Sequence, residues 1–349
     1  YKMSTLREKL LEKKPTLKEN TLKTYVRNMK TLSNKMGIAI KGTEEDIFDI
    51  DLLSNHVVVL KKIGNLKPSS QKNLIAGLVS VLRVIDEELY KPSLDVLSKK
   101  LSTLAETVCN EYKKNKKSKT QEENWSSIED LQKCSDFWKQ ECRGTLETKA
   151  ECMEEQEQLN MYVASLLYSG KTPITRLELC SCTVISKAEY DKLKEKNKNY
   201  LVLNKKKSFL SLNDYKTYGK KFNEFKKHEE NIINMPKDIH VELSKCLKAS
   251  YNPKLLFPKI RKVEVPMTPL DLGRLITKTF KKTGKNLTLN IIRNIYTTEQ
   301  YATQQTYEQR EQLAYSMGTS VNTQLICYNK FVDNDIDTLV NLESEELAE

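Results

Sequence analysis

The chain has 349 residues, room for two domains that each bury a core, and its 58 Lys and Arg against 47 Asp and Glu give a net charge of +11. No run approaches the roughly 20 apolar residues of a membrane helix, and the start YKMSTLREKL lacks an apolar signal core, so membrane and secreted classes are set aside. The cationic excess favours a polyanionic partner, nucleic acid first.

In chain order, NTLKTYVRNMKTLSNKMG predicts a helix, since Leu22, Tyr25, Val26, Met29, Leu32 and Met36 recur at three and four, with Asn20 as cap and Gly37 as stop. KPSSQKNLIAGLVSVLRVID predicts a second helix, capped by Ser69 or Ser70, with Leu74, Ile75, Leu78, Val81, Leu82 and Ile85 inward. Residues 1–112 thus read as a helical bundle with basic outer faces. The lysine-rich stretch NEYKKNKKSKTQEENW then turns from basic to acidic, and 113–124 reads as a linker.

The second unit, 125–349, is mixed. Helices are expected at 126–138, 155–169 and around 270–282, and at 238–248 after Pro236. NYLVLNKKKSFLSLNDYKT and ENIINM read as strands. The fold class is therefore mainly α with a small antiparallel β-sheet. The eight cysteines include no C-x-x-C pair and the three histidines have no zinc-ligand spacing, which predicts reduced thiols in an intracellular protein and no metal site.

Four residues stand out. Arg176 opens a Leu-Glu-Leu run after a turn set by Gly170 and Pro173. Lys216 stands late in a strand in NDYKTYGKK, where a hairpin would point it outward. Arg293 sits in LNIIRNIYTTEQYATQQ, an apolar helical segment in which an arginine either snorkels to the surface or is aimed at an anion. Tyr328, in QLICYNK, falls on what reads as the penultimate helix. Taken singly each is commonplace: a surface ion pair, a solvated lysine, a snorkelling arginine, one tyrosine of sixteen.

Their order is not commonplace. Arg, hairpin Lys, a second Arg on a helix and a C-terminal Tyr resemble the tyrosine recombinase family, the phage-type integrases that share a catalytic domain with type IB topoisomerases. NYLVLNKKKSFLSLNDYKTYGKKF and MGTSVNTQLICYNK are closer in flavour to recombinases of eukaryotic viruses and mobile elements. The resemblance implies a core-binding domain over 1–112 and a catalytic domain over 125–349. It lays the first arginine on Arg176, the hairpin lysine on Lys216, the H-x-x-R motif on Asn290 and Arg293, the later His or Trp of an LGHS-like turn on Tyr315 in LAYSMG, and the nucleophile on Tyr328. Tyr328 follows Tyr315 by 13 residues against about nine in the family, a surplus close to one helical turn of about 3.6 residues, which predicts a lengthened helix.

What the resemblance implies is a site-specific recombinase or integrase that cleaves and rejoins double-stranded DNA through a 3′-phosphotyrosyl intermediate. The storage of bond energy in that ester needs neither ATP nor a cofactor, and two guanidiniums stand where a metal would otherwise meet phosphoryl charge. Lys216 would protonate the leaving 5′ oxygen, and Asn290 and Tyr315 would donate hydrogen bonds. The tail from Asp333 to Glu349 would dock on a neighbouring protomer to give a dimer or tetramer, in the host nucleus or a viral factory. No membrane and no small-molecule substrate is expected. The rival readings are a type IB topoisomerase-like enzyme and a decayed DNA-binding protein.

Overall fold

A computed structural model describes residues 5–38, 49–220, 222, 226–303 and 306–330. The chain forms two compact units, Tyr1–Lys114 and Asn115–Glu349. The tail expected to dock on a neighbour, Asp333–Glu349, lies outside the described residues. Among the described residues, no helix is long and apolar enough to cross a membrane.

Among its described residues the first unit has helices and no strand, its longest elements being Glu19–Met36, Pro68–Asp86 and Lys91–Lys113. Most of the expected inner faces are buried: Leu22, Met29, Leu32, Ile75, Leu78, Val81 and Leu82 are each at most 1% exposed, whereas Tyr25, Val26, Met36 and Ile85 are half-buried at their edges. Gly37 closes the first of these helices at φ 73°, as a C-terminal glycine does. The expected caps shift. Lys18, not Asn20, precedes the first helix, and Pro68 takes the first turn of the second so that Lys67 precedes it; a proline fixes φ and gives up an N–H that has no partner there. Between the two helices Gly77 meets Asn28: a Cβ on Gly77 would lie 2.6 Å from Asn28 Nδ2, which donates to the Asn73 carbonyl at 3.0 Å.

The second unit is built around helix Met153–Tyr168, whose residues from Leu159 to Tyr168 are all buried. An apolar helix of this kind is a central one. Helices Ile128–Glu141, Lys237–Ala249 and Pro269–Phe280 pack on it. The fold is mainly α with a four-stranded sheet of order β1 (Thr183–Ser186), β2 (Tyr200–Leu203), β3 (Ser208–Leu212) and β4 (Asn231–Asn234). The sheet is mixed. β2, β3 and β4 pair antiparallel as expected, but β1 runs parallel to β2 because a crossover through helix Lys187–Asp191, not a tight turn, joins them.

Candidate active site

Arg176 precedes a short 3₁₀ turn, Leu177–Ser181, and Tyr168 holds it from the central helix by donating to its carbonyl at 2.9 Å. Its guanidinium donates through Nη1 to the Gly318 carbonyl at 2.7 Å. That same carbonyl accepts the Thr217 hydroxyl at 2.9 Å. Gly318 stands at φ 64°, a left-handed conformation that suits glycine, and it turns the chain after helix Tyr307–Ser316.

Arg293 lies one turn into helix Leu289–Tyr301 and is fully buried. An arginine there must satisfy its donors. One Nη donates to the Ile174 carbonyl and the other to the Met317 carbonyl at 3.1 Å, whereas buried Nε has no partner. The two arginines, far apart in the chain, are thus pinned to adjacent carbonyls of one turn.

Tyr328 completes the group. The centre of the Arg293 guanidinium lies 4.7 Å from its ring centroid. Burial pushes the phenol pKa up, but the charges of Arg293 and then Arg176 outweigh it and hold the phenol below its ordinary 10.0. Burial in turn lowers the Arg293 pKa, a change that Tyr328 opposes. A phenol whose ionised form is favoured by two guanidiniums can act as a nucleophile, and guanidiniums can hold an anion.

No protein-family model matches the sequence, and no curated protein matches it. Among solved structures, the crystal structure of XerA recombinase is similar at 14% identity over 97% of this chain and 98% of that one, with a TM-score of 0.38. That likeness is too loose to assign a role to any residue.

The remaining expected residues fall elsewhere. Asn290 is exposed on the first turn of its helix. Tyr315 is turned away into an aromatic cluster: its ring stacks on His228 at 5.2 Å and 17°, Lys226 Nζ lies 4.1 Å over it, and its hydroxyl accepts the Glu229 N–H at 3.1 Å. Lys216 is exposed and lies just beyond β3, in the long connection between the antiparallel strands β3 and β4 and not in a tight hairpin turn. The β2–β3 hairpin closes instead on Asn204–Lys207, where Asn204 accepts the Lys205 N–H at 2.7 Å, so its exposed lysines are Lys205, Lys206 and Lys207. Lys216 nevertheless adjoins Thr217, which shares the acceptor of Arg176.

The lengthened helix is absent. After Gly318 a single helical turn, Val321–Thr323, widens into a π-turn over Gln324–Tyr328, closed by the Asn329 N–H to the Gln324 carbonyl at 2.8 Å. The surplus residues are spent on the turn. The turn Met317-Gly318-Thr319-Ser320, whose carbonyls hold both arginines, was not among the expected site residues; its Thr319 precedes Tyr328 by nine residues. Nor was Glu178, whose carboxyl burial raises in pKa against the pull of Arg176 and then Arg293, and whose Oε2 has no partner.

Next to the site, Leu177 lines a groove of about 1180 Å³ whose walls carry Arg274, Lys278, Lys281 and Lys285. Such a cluster of cations suits a polyanion.

Proposed function

We propose that the chain is a tyrosine-type DNA strand transferase, acting as a site-specific recombinase or integrase. The observation that carries this reading is the meeting of Arg176, Arg293 and the Tyr328 phenol around one turn. In the reaction the Tyr328 oxygen attacks a backbone phosphorus, the bond to the 5′ oxygen breaks, and that oxygen takes up a proton. The charge that builds on the phosphoryl oxygens is met by guanidinium N–H groups not already given to carbonyls, including Arg293 Nε. Attack by a 5′ hydroxyl on the tyrosyl ester then reseals the strand and returns the phenol.

Leaving-group protonation is assigned to Lys216, tethered to the site through Thr217. The hairpin lysines Lys205–Lys207 are the competing source, since theirs is the turn that β2 and β3 close. With the position of the LGHS-like turn moved to Met317–Ser320, the family's later His or Trp falls on Thr319 and the spacing to Tyr328 becomes regular. Asn290 and Tyr315 then have no assigned part in the chemistry. Double-stranded DNA is the partner, held mainly through phosphates by cations such as those of the groove beside Leu177.

A second reading, a DNA-binding protein that no longer cleaves, is favoured by the commitment of both Arg293 Nη nitrogens to backbone carbonyls. A nicked substrate that traps the covalent complex separates the two. Wild type should form a 3′-linked adduct and Tyr328→Phe should form none. Salt-sensitive mobility shifts without any adduct would leave only the binding reading. Joining of two duplex sites, as against relaxation of supercoils alone, separates the recombinase from a topoisomerase-like enzyme.

A further inference from the structure

Asn199, immediately before β2, is 3% exposed and has its amide fully used. Nδ2 donates to the Glu178 carbonyl at 3.1 Å and to the Asp214 carbonyl at 2.8 Å. Oδ1 accepts the N–H groups of Asn213 and Asp214, each at 2.9 Å. Four bonds to backbone on two separate segments are what a buried amide needs to weld them.

The two segments are the ones that hold the ends of a single hydrogen bond. Glu178 lies two residues beyond Arg176, in the 3₁₀ turn that Arg176 precedes. Asp214 lies three residues before Thr217, whose hydroxyl and the Arg176 guanidinium share the Gly318 carbonyl. Tyr215, between them, sets its ring against Gly318, where an added Cβ would meet Tyr215 Cδ2 at 3.4 Å. A ring of tethers therefore runs from Arg176 through Glu178, Asn199, Asp214, Thr217 and Gly318 back to Arg176.

We infer that Asn199 is a positioning residue, which fixes the Arg176 guanidinium beside Tyr328 by locking the Leu177–Ser181 turn to the segment that supports Gly318. Its catalytic consequence rests on the strand-transfer reading above. Cutting the ring at Asn199 leaves Arg176 with its bond to Gly318 and the Tyr168 hydroxyl on its carbonyl, but frees the two segments that carry Arg176 and Thr217 to shift against each other, and a displacement of about 1 Å at a reacting centre is worth about a hundredfold in rate. No bond of Asn199 reaches the phosphate or the phenol, so its effect is expected on the chemical step and not on DNA affinity.

The test uses the full chain with Asn199→Ala and with Asn199→Asp, which keeps the two acceptor bonds and loses both donors. Tyrosine labelled at the ring carbon that bears oxygen reports the Tyr328 titration by NMR, with its resonance identified by loss in Tyr328→Phe. Both variants should move that titration upward toward about 10, as Arg176 leaves. On a trapping substrate at saturation they should also cut the rate of adduct formation by about 10- to 100-fold while Kd changes less than about threefold. An unmoved Tyr328 titration in folded variants overturns the assignment. Absence of adduct in wild type would defeat the strand-transfer reading and leave the titration to decide the role of Asn199. Should neither Asn199 variant fold, Thr217→Val, which opens the same ring at Gly318, must raise the Tyr328 titration, and its failure to do so also overturns the assignment.

Discussion

The Arg293 guanidinium lies 4.7 Å from the centroid of the Tyr328 ring while two of its nitrogens donate to backbone carbonyls. One buried cation thus both staples the turn Met317–Ser320 and lowers the phenol pKa. Arg293→Lys keeps a charge but cannot bridge two carbonyls in a plane. It should destabilise the second unit by about 2–4 kcal/mol in denaturant titration, since a carbonyl is left unpaired and a charge under-satisfied in the interior. Adduct formation should fall at least about a hundredfold even where the protein remains folded.

In the proposed reaction Tyr328 attacks as a phenolate, and both arginines favour that form over the phenol. The rate of adduct formation should therefore rise with pH and level off below the ordinary phenol value of 10.0. A depressed acid contributes stability in full above its unfolded value of 10.0 and loses it as pH falls through its lower folded value. A plateau only above pH 10 in the single-turnover rate would contradict the geometry.

Tyr315→Phe separates the two tyrosines. Removing its hydroxyl leaves the Glu229 N–H, at an exposed position, to water, which should cost about 1 kcal/mol or less. The stack on His228 survives, and the adduct should form within about threefold of the wild-type rate.

The source of the leaving-group proton is open to a direct comparison. Lys216→Ala should slow cleavage by about 10²- to 10⁴-fold, and a substrate whose leaving atom is sulfur, which departs without a proton, should recover most of that loss. If the triple change of Lys205, Lys206 and Lys207 to alanine shows the loss and the recovery instead, the role passes to the β2–β3 turn.

His228 is 2% exposed, with Nδ1 unpartnered. Burial, then Arg176 and Lys226, lower its pKa from the ordinary 6.5. Below that value the unfolded chain takes up a proton that the folded one refuses. Stability from this residue is therefore complete above about pH 6.5 and declines as pH falls toward the histidine's own lower value. Thermal midpoints measured from pH 8 to 5 should fall less steeply in His228→Gln than in wild type.

In the first unit, Gly77→Ala would place a Cβ 2.6 Å from Asn28 Nδ2 and force apart two packed helices. The gain in helix propensity, about 1 kcal/mol, is smaller than the overpacking cost of about 1–3 kcal/mol, so the midpoint of urea unfolding should drop.

Much of the fold was legible because period and punctuation are local. The stripe through Leu22, Met29 and Leu32, the stop at Gly37 and the strand ahead of Pro236 are each set by neighbours within a few residues, so the sequence alone determined a mainly helical chain with a small sheet. Arg293 was legible as a question, since an arginine among Ile291, Ile292 and Ile295 has few outcomes. What it meets was not. The carbonyls of Ile174 and Met317 lie 119 and 24 residues away, and backbone carbonyls leave no mark on residue type. The turn around Gly318 and the amide of Asn199 bring Arg176 to the same place, and only packing could decide which serine-rich or glycine-bearing turn that would be. The hydrophobic pattern specifies which face is buried; which polar groups then confront one another is fixed by the closing of that core, because hydrogen bonds of the interior join segments whose sequences carry no trace of each other.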